Sequence, residues 1–439
     1  MREWKRVYIL GGGFAGIQAA RAIARGAPDA RAFLLDRNSY ATMIPALPDV
    51  LSGRIPIEAF STDLSEAVGP DVEVIADEVR AIDLVSRRIH GGTTEYEYDY
   101  LVIAHGSRPN YFGFTPDDGT VHTIHSLSSA MAFRAAVERH LAADPEAPIL
   151  IVGAGYTGLE AASCLVLGAR ESHVHPLITV VDVAARPLSF LPERRRHRLL
   201  AYFERVGVEI RTETSLEQLA NGTAFLSDGA RLENPLVLWA AGMQTEPTEI
   251  LGTVERARDG RIRTNEFLQL PAHPEVFAAG DAAALTGAAA GLTGAAAGQP
   301  QQPVLRRAVN FAFYSGRRAG RNVAARAGAE AGAEGGRAEP GANRGADSRG
   351  RRPARLRRFK PVDLGWVIPL GEKSVGRVFG AVPVGGRLGL RLHYFMSGFR
   401  HFGAGEAAEL YKTAFRLSRR PAPPDVKPGR AAAPAGGPL

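Results

Sequence analysis

A glycine-rich segment occurs twice in this chain in the same setting, and that duplication constrains the fold more than any other feature. An apolar run at residues 7–10 leads directly into Gly11-Gly12-Gly13-Phe14-Ala15-Gly16. Residues 17–25 then place Ile17, Ala20 and Ile23 on one helical face. Strand, glycine turn and helix N-terminus in that order build a pyrophosphate site. The first glycine makes the tight turn, the second lets the backbone approach the phosphates, and the third lets helix and strand pack closely. The helix start adds free N–H groups and a partial positive charge. The next strand, residues 32–35, ends in Asp36, 20 positions after Gly16. A carboxylate there can accept hydrogen bonds from both ribose hydroxyls. A single G-x-G-x-x-G is weak evidence, but here its strand, helix and acid are all in place. The pattern then recurs: residues 148–152, Gly153-Ala154-Gly155-Tyr156-Thr157-Gly158, a helix over 159–167, and a strand at 178–181 ending in Asp182. Two complete fingerprints imply two nucleotide cofactors in two similar domains.

The duplication reaches beyond the glycines. Residues 100–104 (YLVIA) form a buried strand entering His105-Gly106, and residues 237–241 (VLWAA) form one entering Gly242. Each is a further close backbone approach in its own domain. A strand at 276–278 runs into Gly280-Asp281, which brings a carboxylate back toward the first domain. Short strands are expected at 72–75, 79–83, 87–89, 208–211 and 224–226, with helices at 128–141 and 193–206. Residues 38–54 are too rich in proline and apolar residues, and too irregular, for a plain helix.

At 439 residues the chain can hold two or three domains with sizeable cores. No apolar run reaches spanning length and no apolar segment of signal length opens the chain, so the expected location is intracellular. Cys164 is the only cysteine, which excludes an intrachain disulfide and a cysteine-rich metal site. Histidines are scattered, with His173 and His175 in an expected loop, so no metal site is expected. The net charge of +7 suits an anionic surface without selecting one.

The later chain alternates order and low complexity. LTGAAAG occurs in tandem at 285–291 and 292–298 and reads as a surface loop. A helix is expected over 304–325. Residues 326–355 lack large apolar side chains and read as a disordered linker. Strands are expected at 366–369 and 378–384. Leu388, Leu392, Phe395, Phe399 and Phe402 then form one helical stripe flanked by Arg387, Arg391, Arg400 and His401. That stripe suits either packing on the main body or a membrane surface. A second helix is expected over 406–417, and residues 419–439 form a Pro/Ala/Gly tail. The expected organisation is α/β: two Rossmann-like dinucleotide-binding domains, the first discontinuous with the second inserted in it. They cover 1–118 and 265–325, and 119–264. A linker (326–355), a small strand-and-helix region (356–418) that is a candidate contact for membrane or a second copy, and the tail follow.

Taken in order, GGGFAG with Asp36, YLVIAHG, GAGYTGLE, VLWAAG and FAAGD resemble the two-dinucleotide flavoprotein family over about residues 5–325. Within it the chain looks most similar to type II NADH dehydrogenases, the single-subunit NADH:quinone oxidoreductases. The resemblance implies FAD in the first domain, with its pyrophosphate at Gly11, Gly13, Phe14, Ala15 and Gly16 and its ribose on Asp36. It places adenine at Val79, the flavin side at Gly106, and the ribityl or pyrophosphate at Gly280 and Asp281. It implies NADH at Gly153, Gly155, Tyr156, Thr157, Gly158 and Gly242, with Asp182 on the ribose, an acid that repels a 2′-phosphate. Glu160 falls where the family carries a glutamate, close to where nicotinamide meets flavin, and is the expected proton relay. The implied activity is hydride transfer from NADH and two-electron transfer to quinone, without disulfide chemistry or proton pumping, on the inner face of the cell membrane.

The chain departs from relatives of this fold that need cysteine pairs, since residues 38–54 contain none. It also departs at the quinone segment after Gly-Asp, where Val309-Asn310-Phe311-Ala312-Phe313-Tyr314 stands for the family's A-Q-x-x-x-Q. Asn310 and Tyr314 are the expected quinone contacts. The rival readings are a soluble NADH-dependent reductase serving a small acidic redox protein such as a ferredoxin, and a non-catalytic FAD/NADH-binding sensor. Nucleic acid is not an expected partner, because the basic run at 351–360 offers only Phe359 for stacking.

Overall fold

The computed structural model describes residues 4–116, 119–189, 191–286, 304–335, 355–371, 373–379, 382–399 and 402–417. These divide into two compact units. Unit 1 draws on 1–41, 62–108 and 244–364, and unit 2 on 42–61, 109–243 and 365–439.

In unit 1, β1 (Lys5–Leu10) lies at the heart of a six-stranded sheet, and α1 (Phe14–Gly26) leads from it to β2 (Ala30–Asp36). The strand order is Gln269–Leu270, His273–Ala278, Tyr100–Ile103, β1, β2, Val72–Ala76, parallel except at the Gln269–Leu270 edge. Chain order therefore reverses at β1, with Tyr100–Ile103 on one side and β2 on the other. Such a reversal opens a crevice beyond the strand's C-terminal end, where α/β sheets bind ligands.

The long helix Val309–Gly335 packs along α1. Their backbones touch through small residues: a Cβ on Gly316 would lie 2.0 Å from the Ala15 carbonyl oxygen, and one on Gly320 would lie 2.4 Å from that of Ala19. The helix begins five residues later than the expected residue 304 and runs ten beyond 325. The composition of 326–335 suggested disorder because it offers no large apolar side chain. Alanine, however, is the best helix former, and a helix already nucleated against α1 continues cheaply through it. Residues 336–354 of the expected linker, nearly all of the LTGAAAG repeat and the tail lie outside the described residues.

Unit 2 opens with α2 (Leu47–Val50), from the proline-rich stretch after Asp36. Its sheet repeats the plan of unit 1. β3 (Pro148–Val152), α3 (Tyr156–Glu171) and β4 (Leu177–Asp182) form the motif. The parallel order is Val121–His122, Leu236–Trp239, β3, β4, Val208–Thr212. Both helices begin directly at the glycine turn, earlier than their apolar spacing suggests.

The C-terminal region belongs to unit 2 rather than standing alone, and 244–264 belongs to unit 1. β5 (Gly365–Leu370), β6 (Lys373–Val378) and β7 (Val382–Gly385) form an antiparallel sheet, followed by α4 (Gly386–Phe399) and α5 (Ala404–Leu417). The single strand expected at 378–384 is instead two strands. Phe379, with φ of +49°, starts the turn between them. The sheet is bolted to the motif: the Tyr156 hydroxyl donates to the Val367 carbonyl, Gly371 N–H donates to Ser163 Oγ at 2.7 Å, and Arg195 donates to the Gly376 carbonyl at 3.0 Å. These bonds explain why sequence boundaries drawn from composition do not match the packing.

Gly316→Val should cost about 1–3 kcal/mol through overpacking against α1. Urea unfolding followed by circular dichroism measures it. Gly328→Val on the same helix, where a Cβ meets nothing within 4 Å, is the matched control.

Candidate functional site

The two glycine turns match each other atom for atom. Gly11 N–H donates to the Leu35 carbonyl at 2.8 Å, and Gly153 N–H to that of Val181 at 2.7 Å. Ala104 N–H donates to Leu10 and Ala240 N–H to Val152, at 2.9 and 2.8 Å. Gly11 and Gly153 have φ of +103° and +110°, the left-handed region that excludes most side chains. A Cβ on Gly16 would lie 1.8 Å from the Gly11 carbonyl oxygen, and one on Gly158 would lie 1.9 Å from that of Gly153. The third glycine therefore lets each helix close on its turn. The middle glycines differ in kind: a Cβ on Gly13 or Gly155 would meet nothing within 4 Å. Neither helix start carries a side-chain cap. Open space above uncapped N–H groups at a helix N-terminus fits a pyrophosphate in both units.

Each acid also anchors its own turn. Asp36 Oδ2 accepts from Gly12 N–H at 2.6 Å, and Asp182 Oδ2 accepts from Ala154 N–H at 2.7 Å. The other oxygens accept from Asn38 and Ala184 N–H, both at 2.8 Å. The carboxylates are thus fixed beside the cradles before any ribose arrives.

In unit 1, Val79 follows Asp77, whose N–H donates to the Asp36 carbonyl at 3.0 Å. Gly106 has φ of +82° and open space at its Cβ position. Gly280 packs on α1: a Cβ there would meet Ala15 Cβ at 2.8 Å, and its N–H donates to Ser315 Oγ at 3.0 Å. Asp281 is thereby held near the glycine turn and accepts from Ser107 Oγ at 2.9 Å. Burial raises its pKa, against the lowering pull of Ser107, Arg307 and Arg261. Asn310 is buried and Tyr314 partly exposed, one turn apart at the start of the long helix. His105, beside Gly106, is half-buried with Nδ1 on Thr248 Oγ1 at 3.0 Å, and desolvation of its ring pushes its pKa down to about 4.

In unit 2, Phe14 and Ala15 of the first motif are matched by Tyr156 and Thr157. Tyr156 spends its hydroxyl on Val367, while Thr157 is exposed at the helix start. Gly242 is tied back by its carbonyl, which accepts from Asn110 N–H at 3.0 Å.

Glu160 is 2% exposed, one turn into α3. It belongs to a buried cluster that sequence reasoning missed. His393 Nε2 lies 3.7 Å from Glu160 Oε1. His393 Nδ1 pairs with the Val367 carbonyl at 3.2 Å, so Nδ1 carries the proton and Nε2 faces the carboxyl with its lone pair. Asp49, on α2, is fully buried and accepts from the Tyr394 hydroxyl at 2.7 Å, with Cys164 Sγ 4.0 Å from the same oxygen. Glu160 Oε1, Asp49 Oδ2, His393 Nε2 and Arg54 Nη1 have no hydrogen-bond partner among the described residues. Burial, then the charge of Asp49, raises the Glu160 pKa well above the usual range. Burial lowers that of His393 to about 4. Burial favours the uncharged form of both groups, so the 3.7 Å contact has the spacing of an ion pair while its charges are disfavoured. Burial raises Asp49 to about 6, against the Tyr394 hydrogen bond and the Arg54 charge. Burial likewise raises the Cys164 thiol well above its usual value, so it packs as a thiol.

This cluster lies on the side of α4 away from most of the apolar stripe. Its buried face is Gly389, Leu390, His393, Tyr394, Ser397 and Gly398. Leu388, Phe395 and Phe399 of the expected stripe are 71%, 54% and 65% exposed, and Phe402 lies past the helix end, buried. Phe379, Val382 and Phe415 are exposed nearby in the same C-terminal region. Arg391 stacks over Phe415 at 5.5 Å. Apolar periodicity located the helix and left two settings for its stripe; packing on the main body is through the polar side, which leaves Leu388, Phe395 and Phe399 outward.

Residues 5–309 match the family profile described as pyridine nucleotide-disulphide oxidoreductase. An NADH dehydrogenase-like protein of Mycobacterium tuberculosis is 32% identical over 302 residues, covering 64% of this chain and 73% of that protein. A type II NADH:quinone oxidoreductase of Staphylococcus saprophyticus is 25% identical over 64% of this chain and 75% of its own length. The fold resembles the solved structure of NDH2 from Plasmodium falciparum in complex with NADH, with a TM-score of 0.76 at 14% identity over 95% of this chain and 99% of that one.

Asp49 makes stability depend on pH. Its folded pKa of about 6 exceeds the unfolded value, so the fold keeps a proton that the unfolded chain loses first. Stability from this group is complete below about pH 4 and falls as pH rises toward 6, by roughly 3 kcal/mol. Chemical denaturation at pH 4 and pH 7 should show that loss in the wild type and a smaller one in Asp49→Asn.

Proposed function

Because this chain belongs to the pyridine nucleotide-disulphide oxidoreductase family, we propose a function within it: an FAD-dependent NADH dehydrogenase that passes two electrons to a quinone at a membrane surface. The reading is carried by the duplicated cradle, two identical pyrophosphate turns each with its own anchored acid. FAD fits unit 1, on Gly11, Gly13, Gly16 and Asp36, with Asp281 held beside the turn. NADH fits unit 2, on Gly153, Gly155, Gly158 and Asp182. The Asp182 carboxylate favours a free ribose hydroxyl over a 2′-phosphate. The dithiol relay of the family's name has no place here, since Cys164 is the only cysteine.

When bound, the flavin takes hydride from NADH and hands two electrons onward. The protein's part is positional and electrostatic. The glycine turns hold the pyrophosphates at helix N-termini. The overall reaction, NADH + H⁺ + quinone → NAD⁺ + quinol, takes up one proton beyond the hydride. Glu160, whose burial favours its protonated form, is the group that would hold such a proton, with His393 Nε2 as a neutral acceptor beside it. Asn310 and Tyr314 offer an amide and a hydroxyl, one helical turn apart, for quinone carbonyls.

No helix among the described residues is long and apolar enough to cross a membrane. The outward face of Leu388, Phe395 and Phe399 with Arg387 and Arg391 has the character of an interfacial helix instead. It supports a peripheral site, on the inner face of the cell membrane, where an apolar quinone is found. The basic balance of the chain favours the second reading, a soluble reductase for a small acidic redox protein.

Anaerobic stopped flow separates the two. FAD-loaded protein mixed with NADH and then with a short-chain quinone should bleach and recover quickly; slow recovery would favour a protein acceptor. Glu160→Gln should slow recovery on the order of 10²-fold and leave bleaching near the wild-type rate. Flotation with anionic vesicles should retain the protein at high salt, and Phe395→Glu with Phe399→Glu should release it.

A further inference from the structure

The interior of unit 2 holds two carboxyl groups, contributed by segments far apart in the sequence, that share one environment. Asp49 lies on α2, Glu160 and Cys164 one turn apart on α3, and His393 and Tyr394 side by side on α4. The groups facing the pair from every packed element are Arg54, Cys164, His393 and Tyr394. Arg54 Nε donates to Glu171 at 3.0 Å, while its Nη1 is buried without a partner among the described residues. Among the described residues, four polar atoms of this buried cluster lack partners, two of them carboxylate oxygens. Native interiors seldom leave such atoms unsatisfied unless a proton or an internal water occupies the site.

We propose that Asp49 and Glu160 form one proton-sharing pair that sets the pH dependence of the acceptor step, with the Tyr394 hydroxyl holding Asp49 in place. Asp49 touches no reacting atom and acts through Glu160 as a positioning residue. Two buried like charges interact strongly, so the pair loses its protons in two steps that belong to both groups. Between those steps it holds a single proton. Glu160 keeps that proton because Asp49 is the better ionised of the two, with Tyr394 donating to it and Arg54 attracting it. The proposal rests on the quinone reading. There the reduced acceptor gains two electrons, the pair supplies the one proton that the hydride does not bring, and solvent returns it. The doubly ionised pair left behind is strongly disfavoured in the interior, which drives its reprotonation. His393 remains neutral throughout, because its Nδ1 proton is committed to Val367.

The test uses full-length, FAD-loaded protein without NADH. Protonated carboxyl groups are followed by infrared spectroscopy in D₂O across a pH titration. Single substitutions assign the bands. Asp49→Asn should lower the Glu160 midpoint by about one unit or more, because Glu160 ionises beside an already charged Asp49, whereas Glu160→Gln should leave the Asp49 midpoint near its wild-type value. Tyr394→Phe should raise the Asp49 midpoint, and this variant serves if Asp49→Asn does not fold. The high-pH limb of quinone-driven flavin recovery should move down in Asp49→Asn by the same shift as the Glu160 band, and Asp49→Glu should restore it. A Glu160 midpoint that ignores Asp49→Asn overturns the pair. Coupled midpoints in a protein whose bleached flavin no quinone reoxidises overturn the assigned role and, separately, the quinone reading, while the coupling itself stands.

Discussion

Everything in this chain follows from how closely a helix may approach the strand before it. Gly16 and Gly158 sit so near the carbonyls of Gly11 and Gly153 that a single methyl group would collide with them. Each approach draws the first turn of a helix over the end of a central strand, and the sheet order reverses there. The adjoining strands then have little freedom. Leu35 and Val181 accept from the turn on one side, while Ala104 and Ala240 donate to it from the other. The acids at the ends of β2 and β4 close the frame by accepting from the turn itself. The recognition geometry is therefore a by-product of strand–helix packing, and once encoded it was encoded twice.

That local character explains what sequence reasoning could see. The cradles were legible because all their parts lie within about thirty residues and depend on residue types that only one backbone geometry requires. Asp36 and Asp182 lie inside those windows, whereas Gly280, which packs on Ala15, and Asp281 return to the first turn from elsewhere in the chain. The buried cluster was not. Asp49 and Tyr394 meet across 345 positions, and neither sits in a motif. The one local hint was an acid inside an otherwise apolar, proline-rich stretch, which is as common on a surface as in a core. The extent of the long helix was missed for a different reason: composition measured how much apolar surface could be buried, whereas Gly316, Gly320 and the alanines work by letting backbones touch.

The C-terminal helix shows what periodicity leaves open. A stripe of leucines and phenylalanines ordinarily points to the core, and α4 turns it outward. Its inner face carries His393, Tyr394 and Ser397 because α2 and α3 present carboxyl groups that need covering from water. Desolvating a polar face costs free energy unless its groups find partners or protons. Here Tyr394 finds Asp49, His393 finds Val367, and Glu160 is left to hold its proton.

The bond from Tyr156 to Val367 has a consequence for how the chemistry is distributed along the chain. The family profile ends at residue 309, and the hairpin and helices beyond it form the roof over Asp49 and Glu160. A shared ancestral frame thus carries the nucleotides, while the part of the chain outside that frame decides whether two carboxyl groups behave as ordinary solvated acids or as a store of protons. Divergence in such a roof can retune the acid–base properties of the interior without altering a single residue that holds a cofactor.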